Sequence, residues 1–373
     1  MVCSRPTRWP VKACADVKHT TVNLRLPNRR GLVLSLALVA PLVHAAPSGE
    51  ALHREAVGVR APGQAVLLGA AQAGTRIVAV GERGIVALSD DGGQQWRQAS
   101  VPASITLTAV RFADAQHGWA IGHGGTVLAS EDSGQHWTRQ LDGRQAAQAV
   151  LESARFGGDA QAVKAAERLV ADGPDKPLLD LLLLGGQRLL AVGAYGLALA
   201  SDDGGRSWVS WGARLPNPKG LHIYAARLRG SVLLLAGEQG LAMLSTDGGR
   251  TFRALDAPYK GSFFTAELLG ETDIVLAGLR GNVVRTQDGG ATWASIRAPM
   301  PASFTASALD GNGNLLLANQ AGLVMTLDGD RLMPMFMTTL GPLNGLLPRL
   351  GAAPLALTVR GAQPVTTTSG LSK

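Results

Sequence analysis

Residues 89–96 read Ser89-Asp90-Asp91-Gly92-Gly93-Gln94-Gln95-Trp96, and the chain repeats them four more times with small changes: SEDSGQHW over 130–137, SDDGGRSW over 201–208, STDGGRTF over 245–252 and TQDGGATW over 286–293. The shared form is Ser/Thr-x-Asp-x-Gly-x-x-Trp/Phe. Each part has its own physical role. Short Asp and Ser side chains hydrogen-bond the backbone a residue or two ahead and close a turn. Glycine takes the φ > 0 position without a Cβ clash. The aromatic three residues later lies on the next strand, where it can be buried. Asp91, Asp132, Asp203, Asp247 and Asp288 are therefore read as turn closers, and Trp96, Trp137, Trp208, Phe252 and Trp293 as core rings.

Working outward, a glycine stands five residues before each Ser/Thr (Gly84, Gly125, Gly196, Gly240, Gly281), with another three residues earlier, in VGERG, IGHGG, VGAYG, AGEQG and AGLRG. An apolar run precedes each pair, and a further apolar strand leads into the unit. Four short strands in about 40 to 45 residues is the pattern of a propeller blade. The turn-opening residues are spaced by 41, 71, 44 and 41 positions. A worn copy follows at 318–330 (GLVMTLDGD keeps Asp328) and a fainter one at 346–368. The reading is an all-β, seven-bladed β-propeller, with six blades as the alternative. The last blade lacks a fourth strand, and residues 53–60 (HREAVGVR) are expected to supply it, which would remove an exposed edge.

The 71-residue gap marks a helical insertion after blade 2, spanning 141–177 within a propeller of 46–373. Residues 145–156 and 159–171 are rich in helix formers, Gly157-Gly158 separates them, and Asp159 suits the second N-cap. Val163, Ala166, Leu169 and Val170 fall on one face at helical spacing.

Residues 31–43 (GLVLSLALVAPLV) are a 13-residue apolar run after Arg29-Arg30, with small residues following. This is the form of a secretory leader, expected to be cleaved after Ala45, and it is shorter than a membrane span of about 20 residues. The chain is then exported and periplasmic. Residues 1–45 carry seven Lys/Arg against Asp16 alone, six of the formal +7 charges. The basic balance belongs to the leader and does not imply nucleic acid. Cys3 and Cys14 lie there too, leaving no disulfide and no thiol nucleophile downstream.

Because strands in a blade run up and down, the Asp turns share one face of the disc. The Gly-x-x-Gly turns, the connectors between blades and the insertion share the other. Function concentrates on loops carried by a rigid scaffold, so the second face is the expected partner surface. Its contact residues are Arg83, His123, Tyr195, Glu238, Arg280, Tyr259 and Lys260, with Arg83, Arg280 and Lys260 forming a positive lip. The paired carboxylates Asp90-Asp91 and Asp202-Asp203 each sit inside one turn, which favours turn closure over calcium or catalysis. No histidine pair has a metal-ligand spacing. No catalytic residue, metal or small-molecule cofactor is expected, and the chain is read as a monomer.

Turns of this form resemble the Asp-box propellers, which include sialidases; their arginine cluster with a tyrosine nucleophile and a glutamate is not assembled from the three tyrosines Tyr195, Tyr224 and Tyr259. The fuller phrase over 117–137, HGWAIGHGGTVLASEDSGQHW, resembles the photosystem II stability/assembly factor family. That resemblance implies a seven-bladed propeller, a lumenal or periplasmic location, and a non-catalytic role in holding a membrane protein during assembly. In that family a positive patch contributes to binding, with Arg83 and Arg280 as the positions that could be analogous here. The insertion is similar to periplasmic relatives in non-photosynthetic bacteria that accompany resistance-nodulation-division-type transporters. The implied partner is a membrane protein or membrane-protein complex. The alternative function is a sialidase-like glycoside hydrolase.

Overall fold

A computed structural model describes residues 51–335 and 339–365. The leader read at 1–45 and the end of the last blade past residue 365 lie outside the described residues. Seven antiparallel sheets follow one another along the chain, each with its strands in sequence order; six have four strands and the last has three. The first strand of each blade is innermost: Leu67–Ala73, Leu107–Phe112, Leu178–Leu183, Ile223–Arg229, Phe263–Leu268, Phe304–Leu309 and Leu343–Arg349. Each packs beside the next, and the seventh packs beside the first. The seven-bladed propeller is thereby established.

The second strands show why the apolar runs are continuous rather than alternating. Leu189–Gly193, Val232–Gly237 and Ile274–Gly278 are buried along their whole length. A blade is covered on both faces by its neighbours, so a two-residue alternation has no solvent side to serve. Between blades 2 and 3, for instance, Trp119, Ile121 and Val127 meet Leu181, Leu199 and Trp208.

The ring closes differently from the sequence expectation. Residues 53–60 form no strand, and blade 7 keeps three strands among the described residues. The segment is held elsewhere, against blades 1 and 2. Leu52 is buried with Val86, Val101, Ala103 and Ile105 at the boundary of blades 1 and 2. The Ala56 N–H donates to Val101 O at 3.0 Å, and the Gln98 amide brackets Val57 and Val59. Arg139 donates to the Leu52 carbonyl. Closure instead comes from side-by-side packing of blades 7 and 1. Asn344 Nδ2 donates to Leu67 O at 3.1 Å and Arg349 Nη1 to Gly92 O at 2.7 Å, while Leu357 packs with Leu67, Ala79 and Ala87.

The insertion is a pair of helices, α1 (Gly143–Gly157) and α2 (Ala160–Asp172). Asp142 caps α1 by accepting from the Arg144 and Gln145 N–H groups, and Gln145 reaches back to the Asp142 N–H, a reciprocal capping box. Gly158 ends α1 in the left-handed conformation, and Asp159 caps α2. Ala146, Val150 and Leu169 pack onto Leu141, Leu197 and Trp208, and the Ser210 N–H donates to Ser153 Oγ at 3.0 Å. The helices thus lie against the outer strand of blade 3 (Val209–Ser210) and cover its edge. Val163 and Leu169 are half-buried and Ala166 is buried, but Val170 is 41 % exposed. The apolar stripe of α2 is narrower than its spacing implied, because only one side of the helix meets α1 and the blade.

Candidate functional site

The Gly-x-x-Gly turns owe their first glycine to crowding rather than to conformation. Gly81, Gly122, Gly193, Gly237 and Gly278 have extended φ angles of −164° to −176° that any residue adopts. A Cβ there would collide with the carbonyl oxygen of Val66, Thr106, Pro177, His222 or Ser262, which stands at the entrance to the innermost strand. The same carbonyls accept the next backbone N–H, at 2.9 Å from His123 to Thr106 and at 2.9 Å from Glu238 to His222. Each turn is therefore clamped to the mouth of its own blade.

The third position of these turns is left-handed in every one of the five copies: Arg83 (φ 55°), Gly124 (63°), Tyr195 (56°), Gln239 (53°) and Arg280 (58°). Non-glycine residues adopt this region uncommonly. The clamp imposes it, and the side chain is thrust outward. Arg83, His123, Tyr195 and Arg280 are exposed. Glu238 is half-buried, its Oε2 accepting the His222 N–H at 3.2 Å. Tyr259 is turned inward, with its ring 5.7 Å from Phe263 and its hydroxyl donating to Leu279 O. Lys260 pairs with Asp256 at 2.7 Å. Arg83 stands on blade 1 and Arg280 on blade 5, and Lys260 is spent on Asp256. The expected positive lip is not assembled, because the repeat spaces equivalent positions around the ring.

What the structure does bring together is an aromatic row. The Tyr195 ring lies 5.0 Å from His222, His222 lies 6.1 Å from Tyr224, and Tyr224 lies 5.4 Å from Phe264. Lys176 caps one end, its Nζ 5.2 Å from the Tyr195 ring centroid, within cation–π range. His222 Nδ1 accepts the Tyr195 N–H at 2.9 Å. An accepting ring nitrogen carries no proton, so the imidazole proton sits on Nε2. Burial, and then the charge of Glu238, raise the Tyr224 pKa, which keeps its hydroxyl a donor.

Tyr224 and Phe264 occupy one position of the repeat. Each innermost strand carries a bulge just after its first residue, at Leu68, Thr108, Leu179, Tyr224, Phe264, Thr305 and Asn344. Bulges re-aim side chains next to sites, and all seven of these are half-buried. Thr108, Thr305 and Asn344 use theirs to bond the first residue of the next innermost strand, Leu178, Leu343 and Leu67. Leu179, Tyr224 and Phe264 leave an apolar arc over the consecutive blades 3 to 5, while Leu68 stands alone on blade 1. His222, Tyr224, Phe264 and Lys176 were not among the sequence candidates. Their signal was present, since an aromatic follows the first buried residue in Ile223-Tyr224 and Phe263-Phe264.

The opposite face is occupied by its own turns. Asp91 Oδ1 accepts from Ser89 Oγ at 2.8 Å and from the Gln94 and Gln95 N–H groups at 3.0 and 2.9 Å. Asp132 accepts likewise from Ser130, Gln135 and His136. Asp203, Asp247 and Asp288 add the hydroxyls of Ser207, Thr251 and Thr292, each at 2.6 Å. Trp96, Trp137 and Trp208 donate Nε1 to the turn glycine carbonyl at 2.9–3.0 Å. Trp137 and Trp208 are buried, whereas Trp96, Phe252 and Trp293 are half-buried. Asp90 and Asp202, the other members of the carboxylate pairs, bind Arg76 and Arg188.

The Ser207 hydroxyl and N–H lower the Asp203 pKa from 3.8 to about 2, and Thr251 and Thr292 push Asp247 and Asp288 further down. A depressed carboxylate stabilises the fold above its ordinary pKa and loses that contribution as pH falls through the folded value. Asp203→Asn is therefore expected to lower the melting temperature at pH 7, with the gap to wild type closing between pH 4 and pH 2. A gap constant over that range would remove the carboxylate from the account.

A buried ionic chain links five innermost strands. Asp180 accepts from Arg111 at 2.9 Å and from Arg227 at 2.7 Å; Arg227 Nε donates to Glu267 at 2.9 Å; and Ser307 Oγ donates to Glu267 at 2.7 Å. Burial pulls the Arg227 pKa down, and Glu267 and Asp180 more than offset it. Both carboxylates are committed to guanidinium groups, so neither is free to act as a glycosidase acid. Among the described residues no cluster of three His, Cys, Asp or Glu is placed to hold a metal ion, and no helix is long and apolar enough to cross a membrane.

With this geometry in hand, a family model described as photosynthesis system II assembly factor YCF48 matches residues 88–172. The family resemblance read in the sequence is borne out. The match covers blade 2 and both helices of the insertion, less than a quarter of the chain. Solved structures agree in fold. YCF48 bound to a D1 peptide superposes with a TM-score of 0.61 at 15% identity, over 83% of this chain and 96% of that one. YCF48 from Cyanidioschyzon merolae gives 0.60 at 15% identity, over 83% and 97%. The WD40 propeller domain of Doa1 gives 0.57 at 11% identity, over 83% and 94%. No curated protein matches by sequence.

Proposed function

We propose that this protein is an exported, non-catalytic scaffold that holds a segment of an inner-membrane protein complex on its Gly-x-x-Gly face. The observation that carries the reading is the row Tyr195–His222–Tyr224–Phe264, which crosses blades 3 to 5 beside the mouth of the ring. Partly exposed aromatics on a rigid frame supply contact area at low entropic cost. The likeness to a propeller solved with a D1 peptide supports peptide holding as the mode. A resistance-nodulation-division-type transporter is the proposed class of complex, and the periplasm the proposed compartment. The sialidase-like alternative gains nothing from the site, since the turn carboxylates and the buried pair are already bonded.

The test is retention of detergent-solubilised host inner-membrane protein on the immobilised protein. Wild type is expected to retain one transporter complex, identified by mass spectrometry. A Tyr195→Ser/Tyr224→Ala/Phe264→Ala variant that melts cooperatively is expected to lose it. Full retention by that variant would overturn the assignment of the face. Deleting 145–171 is not a clean alternative, because it uncovers Leu141 and Trp208.

A further inference from the structure

The insertion creates a groove that a propeller alone would lack. It lies between α1 and the Asp turn of blade 3, has a volume of about 420 Å³, and is open to solvent along one side. Arg144, Gln148 and Glu152 follow one another along α1 at intervals of four residues, so they line one wall over about 12 Å. Arg206 faces them from the turn, with Trp208 beneath. Glu152 is engaged by Gln148 Nε2 at 3.1 Å. Among the described residues neither Arg144 nor Arg206 forms an ion pair. A third feature is independent of charge. Gln140, also in the lining, keeps its Oε1 buried with no donor, beside Gly205. An unsatisfied buried acceptor is costly, and turning the amide onto a ligand N–H relieves it.

We propose that this groove binds an acidic, extended peptide segment of a partner protein. Side-chain carboxylates would lie on Arg144 and Arg206, and a backbone N–H would meet Gln140. Guanidinium forks match carboxylates geometrically. The open side passes a chain rather than enclosing a small molecule. Glu152 makes the far end negative, which confines acidic side chains to the end lined by Arg144 and Arg206. The site is separate from the aromatic row, so it stands or falls independently of the proposed function.

Fluorescence anisotropy of fluorescein-labelled hexaglutamate with the full chain tests it. Wild type is expected to bind saturably. Arg144→Glu/Arg206→Glu, both exposed positions, is expected to weaken binding at least about tenfold with an unchanged melting temperature. Gln140→Leu is expected to weaken it severalfold without loss of stability. Arg83→Glu/Arg280→Glu should leave it unchanged. The proposal is overturned if hexaglutamate does not bind, if the Arg144/Arg206 variant binds as wild type does, or if the Arg83/Arg280 variant is the one that loses binding. Competition by free glutamate as strong as by the peptide would also overturn it, since the groove would then be a small-anion site.

Discussion

Replacing Arg227 with methionine is expected to remove about 3–5 kcal/mol of stability, a large share of the roughly 5–15 kcal/mol that holds a native protein folded. The reason is what remains. Asp180 and Glu267 are each 9 % exposed as side chains, and both direct a carboxylate oxygen at Arg227. Without the guanidinium, Glu267 keeps only the Ser307 hydroxyl as a side-chain donor, and Asp180 keeps Arg111 and two backbone N–H groups. The loss is felt across the ring, since those residues sit on the innermost strands of blades 2 to 6. Urea melts of the Arg227→Met variant check the size. Adding Asp180→Asn and Glu267→Gln to it is expected to restore part of the loss by removing the stranded charges. A midpoint that does not move in the single variant would show that the chain of ions contributes nothing.

Gly84→Ala is expected to cost about 2–4 kcal/mol, combining a left-handed alanine with overpacking. Gly84 has φ +75°, and a Cβ there would run into the carbonyl oxygen of Ala103. That oxygen belongs to the connector between blades 1 and 2, so the strain cannot be released by rotating a side chain. Gly157→Ala is the matched control. It lies in α1 with nothing within 4 Å of its Cβ position, and it is expected to be neutral or slightly stabilising. Equal melting temperatures for the two variants would refute the close-approach account of the turn glycines.

Both expectations concern positions whose types were visible in the sequence but whose reasons were not. The second glycine of each Gly-x-x-Gly turn was legible by its spacing alone, and its φ lies between +61° and +82° in the five copies. The first was legible only as a glycine. Its necessity comes from a carbonyl 15 or 16 residues back that the fold brings against it. Blades 6 and 7 depart from this: Asn319 and Thr358 stand there, Asn319 Oδ1 accepting from the Ala321 and Leu323 N–H groups and Thr358 Oγ1 from the Arg360 N–H, so the crowding is a property of blades 1 to 5 and not of the blade as such. The reciprocal cap on α1 was also legible, in Asp142-x-x-Gln145, and was passed over. Residues 53–60 are expected from the repeat count to supply the closing strand, yet burial of Leu52 and the hold of Arg139 place them at blades 1 and 2.

The sequence by itself determined the Asp turns and their recurrence, while the count of seven over six came from the sheets, because the turns are built from hydrogen bonds spanning four residues or fewer, such as Ser89 to Asp91 and Asp91 to Gln95. Such bonds repeat wherever the phrase repeats. Only the tertiary structure decided which side chains from different blades meet. Arg111 finds Asp180 69 residues away, Arg227 finds Glu267 40 away, and His222 finds Tyr195 27 away. Those partnerships depend on closing the ring, which sets the innermost strands of neighbouring blades side by side and brings together residues at separations that no local pattern in the chain records.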